Sequence, residues 1–218
     1  MMRFARVVSC VLVGLLAVAG RSEAQPPAGD ESRFYAGLTL GATFGHKSSG
    51  SVGVEAGGLI SGPIGIFLEG GRMMNVGTED LDARALRIAN AVGATASSSY
   101  KANYFAVGVR VSPDLALSYK PYVVVGGGMA KVQAETALAV NGTTVPPESL
   151  GVQFGSDLNG SENKPYFTIG GGVLYPFMKR FFADGSYRYG RIFPKTSSIE
   201  NDEAINTQRV QLAIGVRF

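Results

Sequence analysis

Tryptophan is absent, and histidine and cysteine each occur once. After residue 24 no apolar run reaches 18 residues. Each absence closes off a class of protein. The single cysteine, Cys10, lies in the extreme amino-terminal segment, so the rest of the chain has neither a disulfide framework nor a cysteine metal site. With His46 alone there is no histidine pair to hold a metal. Without a long apolar run the chain is not a helical membrane protein, since a spanning helix needs about 20 such residues. Basic excess is missing too. Setting aside residues 1–24 leaves 17 basic against 16 acidic side chains, and no Lys/Arg cluster points to nucleic acid. Neither a cofactor nor an enzymatic activity is expected.

What is present begins with an export signal. Arg3 and Arg6 form a basic start, Val7 to Gly20 a 14-residue apolar core, and Ser22-Glu23-Ala24 a small-residue cleavage site before Gln25. Residues 1–24 are therefore expected to be a cleaved signal peptide, and 25–32 a short periplasmic leader. Residues 33–218 form the single domain that remains.

That domain reads as strands. Eight segments alternate with period two: roughly 33–45, 50–60, 64–74, 101–112, 119–135, 164–177, 180–192 and 207–218. The last is the cleanest, with Val210, Leu212, Ile214, Val216 and Phe218 apolar between Arg209, Gln211, Ala213, Gly215 and Arg217. Outward apolar sets follow on most others, among them Leu38 and Leu40, Val52 and Val54, Ile64 and Ile66, Phe105 and Val107, Ile169 and Val173, and Phe181 and Tyr187. The fifth is ambiguous, because Val123-Val124-Val125 is apolar on both faces. There Val124, Ala130 and Val132 are assigned outward, with Lys131, Gln133 and Glu135 inward.

Connection lengths sort by parity. Spaces 46–49, 75–100, 136–163 and 193–206 alternate with the tight 61–63, 113–118 and 178–179. Short periplasmic turns alternating with longer outer loops characterise transmembrane barrels, and a soluble sandwich has no reason to show them. Aromatics add two expected belts: Phe34, Tyr122, Tyr175, Phe177, Phe181 and Phe218 at the periplasmic rim, and Phe44, Tyr104, Tyr187, Tyr189 and Phe193 at the outer one.

With this export signal, the glycine-rich upstrokes (Gly37, Gly41, Gly45; Gly170, Gly171, Gly172) and the terminal strand 211–218, the chain resembles the small bacterial outer-membrane β-barrel family. That family includes the OmpA transmembrane domain, OmpX, OmpW and opacity-type barrels. The resemblance implies an all-β, eight-stranded antiparallel up-and-down barrel in the bacterial outer membrane. Outer-membrane lipid and lipopolysaccharide would surround it. The strand carrying Leu212, Ile214, Val216 and Phe218 would be the segment read by the barrel-assembly machinery during insertion. Ending at Phe218, the chain is expected to carry no cell-wall anchoring domain.

The inward sets carry a charge network: Glu55, Glu69, Arg110, Lys131, Asp184, Arg188, Arg209 and Arg217. An eight-stranded barrel is nearly filled by its own side chains, so charges placed there must pair or reach water. Glu55, Glu69, Asp184 and Arg188 are expected near mid-height, Arg110 and Arg217 toward the periplasm. Such a network is either filler that fixes register or a gate on a narrow path for small solutes.

His46, in the shortest outer loop, is expected to be solvated surface; Ser48, Ser49 and Asp80 are the only neighbours from which a catalytic arrangement could be built. A lipid-modifying enzyme is accordingly a distant alternative. The runs Gly126–Gly128 and Gly170–Gly172 fall mid-strand and read as relief for large inward side chains rather than as phosphate loops. In the outer loops, Leu81, Ala85, Ile88 and Val92 recur at helical spacing over 79–92, and Asn141-Gly142 marks a hairpin. If that hairpin reached the bilayer the barrel would have ten strands. Function then lies between a structural or surface-interaction barrel acting through its outer loops and a narrow porin-like channel.

Overall fold

The computed structural model describes residues 33–155, 158–194 and 204–218. The expected signal and leader segments, 1–24 and 25–32, lie outside the described residues, as does most of the 193–206 loop.

Eight antiparallel strands close into a cylinder: β1 (Phe34–Phe44), β2 (Ser49–Ser61), β3 (Ile64–Met73), β4 (Thr95–Val111), β5 (Lys120–Val140), β7 (Gly160–Pro176), β8 (Phe181–Ile192) and β9 (Ile205–Arg217). Closure is made by β9 on β1, with Leu40 opposite Leu212, and is locked at the rim by reciprocal bonds between Phe34 and Phe218. A ninth strand, β6 (Thr143–Val145), pairs only with the end of β5. It follows the Asn141-Gly142 turn, where both residues adopt positive φ. The hairpin therefore forms beside the barrel and adds no stave, so the ten-stranded alternative does not hold.

Connections sort as expected, with tight turns at 62–63, 112–119 and 177–180 on one side. Strand lengths do not. β4 starts at Thr95, β5 runs to Val140 and β7 starts at Gly160, each well outside the expected limits of 101, 135 and 164. The 21 residues of β5 measure about 70 Å at the rise of a strand, against a hydrocarbon layer of about 30 Å. Above the lipid an outward residue faces water, so Thr95, Ser97 and Ser99 carry no apolar alternation and the sequence pattern fades where the strand does not.

The outward faces of the other staves follow the sequence. Leu38, Leu40, Val54, Ile66, Val107 and Leu212 are exposed, Leu212 at 70%. Such a surface is stable only in a non-aqueous surround. β5 is inverted relative to expectation. Val124, Ala130 and Val132 are buried, whereas Val125, Met129 and Lys131 are exposed. The expected facing turned charges inward, but Lys131, Gln133 and Glu135 stand beyond the apolar band of Val125 and Met129, where the outer face is polar. Tyr104 and Tyr122 also leave the expected belts, since both are buried and point into the lumen.

Glycines open space where one large side chain crosses the bore. A Cβ on Gly126 would come within 2.9 Å of the Phe67 ring, and one on Gly172 within 2.6 Å of the Tyr122 hydroxyl. Phe67 is wholly buried among these small neighbours. Phe67→Ala is expected to lower stability by about 3 kcal/mol, the usual cost of an unfilled aromatic site. Urea titration of the barrel in lipid vesicles would measure it.

Candidate functional site

The lumen is filled at two levels. In the lower one Glu55 on β2 is the hub. Its Oε2 accepts from Arg188 at 2.5 Å, and its Oε1 from Tyr35 at 2.8 Å and Arg110 at 3.3 Å. The Arg110 guanidinium lies over the rings of Tyr122, 3.5 Å from its centroid, and Tyr35 at 4.7 Å. Tyr122 in turn donates to Asp184 at 2.8 Å. Strands β1, β2, β4, β5, β7 and β8 frame this cluster, and Gly170 leaves room for the Arg188 side chain.

The upper level centres on Arg209. Its guanidinium meets Glu69 Oε1 at 2.7 Å, donates to the Tyr104 hydroxyl and reaches Tyr166 at 2.8 Å. Tyr104 also donates to the same Glu69 oxygen at 2.9 Å. Arg209 and Glu69 are 0% and 1% exposed. Across both levels three carboxylates, Glu55, Glu69 and Asp184, face three guanidiniums, Arg110, Arg188 and Arg209. The lumen is therefore close to electroneutral.

Two expected members of the network lie elsewhere. Lys131 points away from the lumen, because β5 has the opposite facing to the one expected. Arg217 keeps lumenal parity opposite Tyr35 at the periplasmic end, half-buried and apart from both clusters. The tyrosines that bind the charges, Tyr35, Tyr104, Tyr122 and Tyr166, were not foreseen. Parity could have found Tyr104, because Phe105, Val107 and Val109 facing lipid turn position 104 inward.

Over the outer mouth sits helix α1 (Glu79–Ala91). Thr78 caps it by accepting from the Leu81 amide at 3.4 Å, and Glu79, Asp80 and Asp82 suit its positive end. The expected stripe faces inward. Leu81, Ala85 and Ile88 pack with Met73, Tyr100, Val132, Ile192 and Ile205 from five staves, which closes the mouth with an apolar layer. Ala89 packs on Leu138 and Val152, joining the helix to the overhanging β5 and to the loop after β6. From the neighbouring β1–β2 loop, Lys47 and His46 reach Asp82 at 2.6 and 3.2 Å. His46 thus braces the helix, and Ser49 is engaged with the Asn75 backbone at 3.0 Å instead.

The sequence pattern of the outer membrane protein beta-barrel domain matches residues 10–218. The chain belongs to that family. The location of this outer-membrane barrel, the bacterial outer membrane, follows from the membership. No curated protein matches it. Among solved structures it is similar to Neisserial surface protein A, at 14% identity and a TM-score of 0.53, over 88% of this chain and 100% of that one. The amino-terminal barrel of Pseudomonas aeruginosa OprF gives 14% identity and a TM-score of 0.48 over 84% and 97%. The Yersinia pestis attachment invasion locus protein Ail, solved with the heparin analogue sucrose octasulfate, gives 12% and 0.45 over 85% and 97%.

Two outcomes test this geometry. Glu69→Gln alone, which leaves Arg209 buried without its counter-charge, is expected to cost about 3–5 kcal/mol, whereas the pair Glu69→Leu with Arg209→Met should recover most of it. Asp82→Ala should free the helix-bearing outer loop from Lys47 and His46, seen as faster limited proteolysis within 74–94 at an unchanged barrel unfolding midpoint.

Proposed function

We propose that this outer-membrane barrel is a closed, non-conducting surface protein that acts through its outer cap. The observation that carries this reading is the double closure of the bore. Paired charges fill it at mid-height, and α1 with its apolar layer covers the outer mouth. A path for ions would have to open both. Balanced internal charge gives neither cations nor anions a preferred route. The surface left to meet an external partner is the cap itself: α1, the β5–β6 hairpin and the overhanging ends of β4, β5 and β7.

The same reading makes residues 1–24 a cleaved export signal. It also makes the outward row Leu212, Ile214, Val216 and Phe218 on β9 the segment recognised during insertion, consistent with its exposure. No catalytic role is proposed for any residue, and no metal or cofactor.

Planar-bilayer recording on the purified, refolded chain tests the central claim. The expected trace stays at the bilayer baseline, for wild type and for Arg188→Met alike. Discrete conductance steps in wild type that change with Arg188→Met would replace the closed barrel by a gated channel.

A further inference from the structure

We infer that the outward face of β3, β4, β5 and β7 carries a binding site for the phosphorylated headgroup of an outer-leaflet glycolipid, built on Arg72, Asn103, Lys131 and Asn163. The inference goes beyond the closed-barrel reading and rests only on the bilayer placement that family membership supplies.

These four residues form one continuous row. Arg72 pairs in register with Asn103, Asn103 with Lys131, and Lys131 with Asn163. With neighbouring strands about 4.8 Å apart, the two cations stand about 10 Å from each other with an amide between them. Lys131, Asn103 and Asn163 are exposed, and Arg72 is half-buried. The row lies on a sharp boundary. One register step toward the periplasm come Gly70, Phe105, Met129 and Pro165, with Phe105 and Met129 at 53% and 50% exposure. One step outward come Lys101, Gln133 and Ser161. Acyl chains covering Phe105 and Met129 therefore bring their headgroups to the level of Arg72 and Lys131.

The charge at that level is unbalanced. Above the boundary the one carboxylate on the outward face of these four strands is Glu135, and it is held by Lys101 at 3.2 Å. Among the described residues Lys131 makes no ion pair. The opposite half of the barrel differs. There the belt satisfies itself, Tyr187 donating to Gln208 at 3.0 Å and Tyr189 to Asn206 at 2.8 Å. An anionic group in contact with an apolar surface fits the β3–β7 row, where two cations stand together; on β8 and β9 the outward cation among the described residues near this level, Arg191, stands singly over the Phe193 ring. Cations suit the phosphates, and Asn103 and Asn163 offer amide donors and acceptors to phosphate oxygens and sugar hydroxyls.

The test uses the full chain refolded into zwitterionic phosphatidylcholine nanodiscs. These contain a diphosphorylated acyl disaccharide, or the same glycolipid with its phosphates removed. Retained glycolipid is titrated by native mass spectrometry. Wild type should retain the phosphorylated form. Arg72→Gln with Lys131→Gln should retain it roughly 30-fold less, at about 1 kcal/mol for each cation near an anionic lipid surface. Lys131→Gln alone should fall between them. Equal unfolding midpoints establish that the variants fold. Equal retention by the double variant, or of the dephosphorylated glycolipid by wild type, overturns the site. Complete displacement by inorganic phosphate would assign the row to a free anion and overturn the lipid ligand. Protease protection of the strands is read in parallel. Its loss would refute the bilayer placement itself, an outcome distinct from failure of the site.

Discussion

A backbone amide or carbonyl left unpaired in hydrocarbon costs several kcal/mol, so a sheet that enters the bilayer must close on itself. In this chain closure is the pairing of β9 with β1, and most other features follow from it. Eight staves fix a bore that side chains alone can fill. Whatever points inward is then packed, and any charge among it must find its opposite within reach. Glu55 on β2 and Glu69 on β3 meet Arg188 from β8 and Arg209 from β9, each three strands away round the ring, so each pair ties together strands that are not neighbours. The ion pairs thereby brace the cylinder across its diameter, in a direction the backbone hydrogen bonds do not cover. Glycines opposite Phe67, Tyr122 and Arg188 complete the fit by letting one large group cross where two would collide.

Much of this was legible in the chain, for a physical reason. Lipid imposes one rule on every outward position, so the alternation on β1–β4 and β7–β9 identifies strand number, facing and the parity of the loops. The rule lapses where lipid ends. The upper parts of β4, β5 and β7 stand in water, and there Ser, Thr, Lys and Gln are as acceptable outside as Leu is inside. Lys131 and Glu135 fall in that zone, which is why the facing of β5 was misassigned. Tyr104 shows a different failure. An aromatic near a strand end suits an interfacial belt, yet strand parity turns it inward, and the buried Arg209–Glu69 pair needs its hydroxyl there. The cross-bore partners themselves were beyond sequence reasoning, because they depend on register around the whole ring.

The cap depends on the barrel more than the barrel on the cap. A 13-residue helix is marginal alone in water, and α1 acquires its stability from the apolar layer it covers. That layer exists because β4 and β5 continue past the bilayer and carry Tyr100, Val132, Ala134 and Leu138 above the charged lumen. The bore therefore changes along its length, from charge pairs at mid-height to apolar contacts at the mouth. A charged mouth would have stayed wet and open; an apolar one of this width is satisfied by a helix laid across it.

Strand β5 joins the two surfaces to which function is assigned. Its even positions, Val132, Ala134 and Leu138, form the floor under α1, and its odd positions, Met129 and Lys131, form the lipid contact and the cationic row. Because successive side chains alternate, the two sets are fixed relative to each other. A slip of one residue against β4 would put Lys131 under the helix and Val132 at the headgroup level, losing both surfaces at once. Pairing over all seventeen positions from Thr95↔Ala139 to Val111↔Val123 makes such a slip costly, since each step would also carry Tyr122 away from Asp184 and Gly126 away from Phe67. The lumenal contacts low in the barrel thus hold in register the surfaces that meet lipid and partner at its top.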